Sequence, residues 1–352
     1  MELPIGPPLP PMLAKLSREL PRDGFVYEPK WDGFRCLAFV GRDEVDLRSR
    51  NDRQLARYFP ELVVGLRALP DRPLVLDGEI IGVREPDFDS LLLRLHPARS
   101  RVDRLAREVP VAFVAFDLLA RGETDLRARR FAERREVLSQ VVAGGNSTVL
   151  LTPSTDDPEL AAQWLDRFVG HGIDGVVAKP VDAPYRPGVR AMVKVKRERT
   201  ADCVAAGFRS FVDGPPVGSL LLGLHDEGGR LEHVGVAASF GARRQREIAG
   251  KLLPRVAPLA GHPWEHGFLL AGSASGRLAG AASRWSPAEM AQDWIPIAPL
   301  LVCEVAYDQV DHGRFRHAAR FRRWRPDRDP ASCTFAQLDD DAPSPADVLA
   351  MP

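Results

Sequence analysis

The chain has 352 residues, 45% of them hydrophobic, and its 48 basic and 48 acidic residues give a net charge of zero. This composition predicts a globular protein of two domains and excludes one that is coated uniformly in positive charge. The start, Met1-Glu2-Leu3-Pro4, lacks a basic and apolar leader, and no apolar run approaches the ~18 residues of a membrane span. We therefore expect a cytoplasmic protein that has no membrane contact. The four scattered cysteines support neither a zinc ribbon nor a disulfide framework.

Residues 1–196 alternate strand-like and helix-like runs, which indicates a mixed α/β domain. The strand-like runs are 74–83, 111–119, 175–179 and 192–196, and the helix-like runs are 54–69, 128–142 and 158–169. The polar residues 197–202 are predicted to form a linker. Residues 203–338 contain short apolar strands and one helix near 243–253, an order typical of a small Greek-key barrel of the oligonucleotide-binding type. The acidic, proline-containing end, 339–352, is predicted to be disordered.

The segment Glu28-Pro-Lys-Trp-Asp-Gly-Phe-Arg35 places one lysine between a carboxylate, a glycine and an arginine, between two β-favouring runs. Lysine is rare in this chain, which uses arginine for nearly all of its cations; the lysines are Lys15, Lys30, Lys179, Lys194, Lys196 and Lys251. An ammonium group can lose its proton and attack an electrophile, whereas a guanidinium cannot near neutral pH. Lys30 is therefore a candidate covalent nucleophile.

Further acids and amines lie in strand-like runs. Asp77 and Glu79 flank a glycine in an apolar strand, where an unpaired charge would be unfavourable, so a ligand or a cation is the expected partner. The runs 173–179 and 192–196 add an acid at one strand end and lysines at others. Together they supply oxygen ligands for Mg²⁺ or Mn²⁺ and amines for phosphates. In the run 111–119, Phe113 and Phe116 fall on opposite faces, and the pattern alone favours the core for both.

Arginines cluster in the segments 94–107, 127–135 and 314–328. Acidic residues are interspersed in the first two clusters, and we interpret these as solvated helix faces. The third alternates cations with Phe315, Phe321 and Trp324, a pattern that suits phosphate contact on a β surface.

In order and spacing, these motifs resemble the covalent nucleotidyltransferase superfamily of ATP-dependent DNA ligases and mRNA capping enzymes. The segments that carry the resemblance most specifically are 179–196, 304–307 and 314–327, which are most similar to the small bacterial ligases of the C and D types. No polymerase, nuclease or zinc-binding segment is attached, so the chain resembles the stand-alone C type. The resemblance implies an ATP-grasp-like α/β nucleotidyltransferase (adenylation) domain followed by an all-β OB-fold barrel.

The resemblance also implies a role for each matching residue. Lys30 would attack the α-phosphate of ATP and hold AMP, Glu28 would read the adenine amino group, and Phe116 would stack on adenine, contrary to the pattern-only interpretation. Lys194 and Lys196 would contact the α-phosphate and lower the pKa of Lys30. The remaining nucleotide or 5′-phosphate contacts would be Arg35, Ser49, Arg50, Glu79 and Lys179, and metal ligands would be Asp32, Glu79 and Asp174. Arg325 and Asp327 would orient pyrophosphate, after which the barrel would rotate about residues 197–202.

Two positions depart from the family pattern: Asp174 stands where many relatives have glutamate, and Arg328 where lysine is common. Neither change removes a required function. The implied activity is ATP-dependent sealing of 3′-hydroxyl/5′-phosphate nicks in duplex DNA during repair, by a monomer that works beside DNA repair proteins. RNA ligase and capping guanylyltransferase activities are the nearest alternatives, and a non-catalytic nucleic-acid-binding scaffold is the alternative from another class. An NAD⁺-dependent ligase is disfavoured because its N-terminal extension and zinc-binding cysteines are missing.

Overall fold

The computed structural model describes residues 3–83, 88–143, 146–168, 172–210, 217–265, 294–311, 313–338 and 343–350. The chain divides into two units, one of Met1–Arg197 with Asp340–Pro352 and the other of Glu198–Asp339. The strands of the first unit are β1 (Leu13–Ser17), β2 (Phe25–Trp31), β3 (Phe34–Val40), β4 (Val45–Ser49), β5 (Leu74–Gly82), β6 (Val111–Arg121), β7 (Thr124–Asp125), β8 (Val149–Leu151), β9 (Ile173–Pro180) and β10 (Arg190–Val195). Its helices are α1 (Pro60–Arg67), α2 (Phe88–Leu93), α3 (Arg99–Glu108), α4 (Phe131–Ala143), α5 (Pro158–Arg167) and α7 (Pro345–Leu349).

Two sheets form the framework of this unit. One has the strand order β1-β10-β9-β2 and the other β4-β3-β5-β6-β7, with β8 parallel to β6. The continuous apolar run of β6 is buried on both faces, as expected for a central strand covered from two sides. Helix α5 begins where Asp157 accepts hydrogen bonds from the Glu159 and Leu160 backbone and Pro158 occupies the first turn. These packed sheets fix the strand ends that carry the predicted site residues.

The second unit contains β11 (Arg199–Arg209), β12 (Ser219–His225), β13 (Leu231–Ala237), α6 (Ala242–Leu252), β14 (Ile295–Tyr307), β15 (Val310–Asp311), β16 (Arg314–Phe315) and β17 (Arg320–Trp324). Its main sheet has the order β13-β12-β11-β14-β17. A bridge between Ala237 at the end of β13 and Ala319 beside β17 joins the two edges of this sheet. The sheet is thereby closed into a barrel, so the predicted OB-fold is confirmed.

Two boundaries differ from the sequence prediction. Residues 199–202, assigned to the linker, are the first residues of β11 and pair with β14. In the segment predicted to be disordered, residues 345–349 form α7, whose Ser344 and Asp347 make reciprocal capping contacts and whose Val348 is buried. The Ser-x-x-Asp spacing is a helix-start signal that outweighed the acidic composition. Within the described ranges, none of the helices has the length and apolar character needed to cross a bilayer.

Candidate active site

A cleft of ≈ 260 Å³ in the first unit gathers side chains from strands of both sheets. The predicted residues that line it are Glu28, Lys30, Arg35, Arg50, Glu79, Phe116, Lys179 and Lys194. Among the described residues, the lining does not include Asp32, Ser49, Asp174 or Lys196. Ser49 instead closes a turn, because its hydroxyl accepts a hydrogen bond from the Arg53 backbone at 3.0 Å.

Two glycines allow the strands around Lys30 to approach one another. A Cβ atom on Gly33 would lie 2.1 Å from the carbonyl oxygen of Ile80, and one on Gly175 would lie 2.1 Å from that of Val195. Both contacts are with backbone, which cannot move aside as a flexible side chain could. The glycine after Asp32 therefore brings the β2–β3 turn against β5, and the glycine after Asp174 brings β9 against β10.

Lys30 is held by a carboxylate that it shares with a second lysine. Its Nζ lies 2.7 Å from Oδ1 of Asp174, and the Nζ of Lys196 lies 2.6 Å from Oδ2 of the same residue. Asp174 is buried, so these ion pairs are only weakly screened by solvent. The structure thus joins the predicted nucleophile, a predicted phosphate contact and a predicted metal ligand through one carboxylate.

The charge balance at Lys30 differs from the sequence-based prediction of a lowered pKa. Burial alone would lower the pKa of Lys30, but attraction to Asp174, with help from Glu79 and Asp32, outweighs burial and leaves that pKa raised. The neighbouring Lys194 does have a lowered pKa, caused by partial burial and then by repulsion from Lys30 and Lys196. The prediction failed for Lys30 because the sequence did not reveal how close Asp174 lies.

Glu79 carries a strongly perturbed carboxyl group. Burial, together with the charges of Asp32 and Asp77, raises its pKa to about 8 against the opposing effect of Arg35 and Lys30. Glu79 is only partly exposed, and a carboxylate that is held this unfavourably would be stabilised by a divalent cation; oxygen donors are the ligands that Mg²⁺ and Mn²⁺ prefer. The described residues contain no preformed group of three metal-binding side chains. Glu79 and its acidic neighbours therefore supply oxygen donors, but not a complete set of three metal ligands among the described residues.

A second carboxylate that lines the cleft, Glu28, is buried. Lys179 Nζ lies 2.8 Å from its Oε2 and also donates to the carbonyl oxygen of Phe116 at 2.8 Å. Burial lowers the pKa of Lys179, although Glu28 and Asp117 partly compensate. Phe116 lines the cleft, whereas Phe113 lies in the hydrophobic core. The pattern-only interpretation is therefore confirmed for Phe113, whereas Phe116 is buried as that pattern predicts but also lines the cleft.

Arg35 is fixed by a network that the sequence did not reveal. Asp77 accepts hydrogen bonds from Arg35 Nε at 2.6 Å and from Nη2 at 2.7 Å. The Tyr185 hydroxyl donates to Asp77 at 2.7 Å and accepts from the Met12 backbone at 2.9 Å. The guanidinium of Arg35 also lies 4.5 Å from the centre of the Phe116 ring. The cation that the sequence predicted beside Asp77 is thus Arg35, and Tyr185 is an additional partner of Asp77.

Comparisons with known proteins identify the family of this chain. A model of the "ATP dependent DNA ligase domain" matches residues 11–196, and a model of the "ATP dependent DNA ligase C terminal region" matches residues 213–328. The chain belongs to the ATP-dependent DNA ligases. It is 48% identical to DNA ligase C2 of Mycolicibacterium smegmatis over 344 residues and 46% identical to DNA ligase C of Mycobacterium tuberculosis over 347 residues, covering 96% of each chain in both comparisons.

A solved structure described as "DNA binding with a minimal scaffold: Structure-function analysis of Lig E DNA ligases" covers 89% of this ligase and 99% of that chain. The TM-score is 0.52 and the identity 17%, so this likeness supports the fold alone. It agrees with a nucleotidyltransferase domain followed by an OB-fold.

In the second unit of the ligase, Arg325 is bound by two carboxylates. Its Nη1 lies 2.9 Å from Asp202, and its Nη2 donates to Asp327 at 2.8 Å. The exposed arginines of β17 are also paired: Arg320 and Arg322 contact Glu198, and Arg323 contacts Glu304. The predicted pair Arg325 and Asp327 is thus in direct contact, and Asp202 is a partner that sequence reasoning missed.

The interpretation of the first two arginine clusters as solvated faces was wrong for two residues. Arg94 has an exposed side-chain fraction of 0% and binds Glu61 at 2.6 Å. Arg134 is equally buried and binds Asp117 at 2.8 Å. The available signal was the acid in the apolar run 111–119, since a charge buried in a central strand requires a partner.

Proposed function

We propose that this ligase seals nicks in duplex DNA through a covalent lysyl-AMP intermediate. The observation that carries the proposal is the position of Lys30, which lines one cleft together with the amines of Lys179 and Lys194 and the acidic oxygens of Glu28 and Glu79. Lys30 Nζ forms a bond to the α-phosphorus of ATP, and the bond to pyrophosphate breaks. AMP then passes to the DNA 5′-phosphate, and the 3′-hydroxyl displaces AMP to close the backbone.

The cleft residues bind different parts of the nucleotide. Glu28 and Phe116 bind the base, and Lys179 holds both through its contacts with the Glu28 carboxylate and the Phe116 carbonyl. Arg35 binds the sugar and later the DNA 5′-phosphate, and Arg50 also binds that phosphate. On the α-phosphate, Lys194 and Lys196 offset the negative charge that grows as Lys30 attacks.

Asp32, Glu79 and Asp174 would hold Mg²⁺ or Mn²⁺. When bound, such an ion supplies positive charge to phosphate oxygens. The high pKa of Glu79 supports this assignment because the carboxylate gains most from a nearby cation. Ser49 has a structural contact in its own turn and acts beside Arg50 when DNA is bound.

In the second unit, Arg325 and Asp327 would orient pyrophosphate during the first step. Residues 1–196 would form the adenylation domain and residues 203–338 the OB-fold domain; the hinge predicted at 197–202 would bend at its first two residues, before β11 begins. The enzyme would act as a cytoplasmic monomer on nicked duplex DNA, beside DNA repair proteins. Because its net charge is zero, affinity for nicks would depend on local phosphate contacts and fall steeply with added salt.

Mass spectrometry after incubation with ATP tests the first step. We expect an AMP-sized increment on Lys30 that pyrophosphate removes, loss of the increment in Lys30→Ala, and its retention in Lys15→Ala, where the lysine is exposed on β1. A nicked-DNA assay then tests sealing. Labelling by GTP alone would indicate a guanylyltransferase, sealing of RNA alone an RNA ligase, and DNA binding without any adduct a scaffold.

A further inference from the structure

Glu28 is positioned by two cations of different chemistry. Lys179 approaches one oxygen, Oε2, at 2.8 Å, and Arg135 of α4 donates to the other, Oε1, at 3.4 Å. The side chain of Glu28 is 3% exposed and lines the cleft, whereas Arg135 lies behind it. Arg135 therefore reaches a bound nucleotide only through Glu28.

Arg135 is itself anchored by the segment after β8. Its Nη2 donates to the carbonyl oxygen of Thr152 and to the hydroxyl of Ser154, the latter at 3.2 Å. The guanidinium keeps its charge at any physiological pH, whereas burial lowers the pKa of Lys179. Arg135 is thus the permanent positive charge beside Glu28, and its anchors set the direction from which it approaches the carboxylate.

We propose that Arg135 is a positioning residue that determines nucleotide specificity, because it holds Glu28 as a hydrogen-bond acceptor for the exocyclic amino group of adenine. This inference rests on the proposed function, in which ATP occupies the cleft. An ionised carboxylate can only accept hydrogen bonds. It attracts the 6-amino group of adenine and repels the 6-carbonyl oxygen of guanine. Arg135 would therefore raise the preference for ATP over GTP without touching either nucleotide.

The test compares wild type with Arg135→Gln in single-turnover formation of the enzyme-nucleotide adduct. Three nucleotides are used: ATP, GTP and purine riboside triphosphate, which lacks the 6-amino group. We expect Arg135→Gln to raise KM for ATP about fivefold to tenfold, roughly the contribution of one modest hydrogen bond to a charged group. KM for purine riboside triphosphate should change less than twofold, because the group that Glu28 reads is absent.

The analogue distinguishes the loss of Glu28 positioning from a general loss of nucleotide binding. If Arg135→Gln raises KM for ATP and for the analogue equally, Arg135 is merely structural and the inference is overturned. Arg135→Lys should retain part of the ATP preference that Arg135→Gln loses. Ser154→Ala, which removes only one anchor of Arg135, should lower the ATP preference as Arg135→Gln does, but by a smaller factor. Arg130→Gln serves as the matched control, since it makes the same change on an exposed arginine five residues earlier.

The failures of the two proposals are distinguishable. Absence of any adduct in wild type refutes the proposed function. A wild-type adduct with ATP and an unchanged ATP-to-GTP ratio in Arg135→Gln refutes the inference alone. If Arg135→Gln does not fold, the Ser154→Ala variant decides: an ATP preference equal to that of wild type overturns the proposal.

Discussion

Removal of the Tyr185 hydroxyl tests which contacts stabilise the cleft. This hydroxyl donates to the buried carboxylate of Asp77 and accepts from the backbone of Met12, at 2.7 and 2.9 Å. Tyr185→Phe removes both contacts and changes little else in shape. Loss of a hydrogen bond to a charged group is worth about 1.5–3 kcal/mol, and the unsatisfied backbone N–H adds about 1 kcal/mol, the lower end of its usual range. We expect the variant to lose about 2.5–4 kcal/mol of unfolding free energy.

Urea unfolding measures this loss. With a denaturant dependence of about 2 kcal/mol per molar, the midpoint should fall by about 1–2 M. Hydrogen exchange locates the effect, because amides of β1 and β5 in the first unit should lose protection while those of β12 in the second do not. Tyr58→Phe is the matched control, since no hydrogen bond from the Tyr58 hydroxyl occurs among the described residues.

The same variant should affect activity only moderately. Arg35 keeps both of its hydrogen bonds to Asp77 when the tyrosine hydroxyl is removed. We therefore expect kcat/KM for self-adenylylation to fall about threefold to tenfold, which corresponds to roughly 1 kcal/mol. Asp77→Asn should reduce it further, because Arg35 loses its charged partner. An unchanged urea midpoint in Tyr185→Phe, or a larger kinetic loss than in Asp77→Asn, would refute the reasoning.

Three further predictions follow from the buried charges. Arg134→Met should lose about 3–5 kcal/mol of stability in urea because it leaves Asp117 charged and unpaired, and Asp117→Leu in the same chain should restore most of it. Asp174→Asn should move the pH profile of self-adenylylation to lower pH, since Asp174 raises the pKa of Lys30 and the neutral amine is the nucleophile. The folded pKa of Glu79, about 8, is above its ordinary value of 4.5. With a chelator present, the protonated Glu79 carboxyl should therefore contribute its full stability below about pH 4.5, and this contribution should be lost as the pH rises through 8. Glu79→Gln should not show this contribution.

The sequence predicted many of the strands because apolar runs are local patterns, and eight of the residues that the family resemblance implied line the cleft. Apolar runs that end in a lysine or an acid mark strands that deliver side chains to one place, and Gly33 and Gly175 mark close backbone contacts. Long-range partners were harder to predict. Arg94 and Glu61 are separated by 33 residues, and Tyr185 and Asp77 by 108, so no local periodicity relates them.

The structure reversed one chemical prediction, namely that the pKa of Lys30 is lowered. The cause is the position of Asp174 among the charged groups around Lys30. Lys194 and Lys196 do surround the nucleophile with positive charge, as expected for a depressed pKa. Asp174 intervenes, however, and its two oxygens bind Lys30 and Lys196 at once. Lys30 becomes a neutral amine more readily when Asp174 is drawn to another positive partner, because Asp174 raises the pKa of Lys30. Proton loss from Lys30 is therefore coupled to the rearrangement of Asp174, and Asp174→Asn removes that coupling.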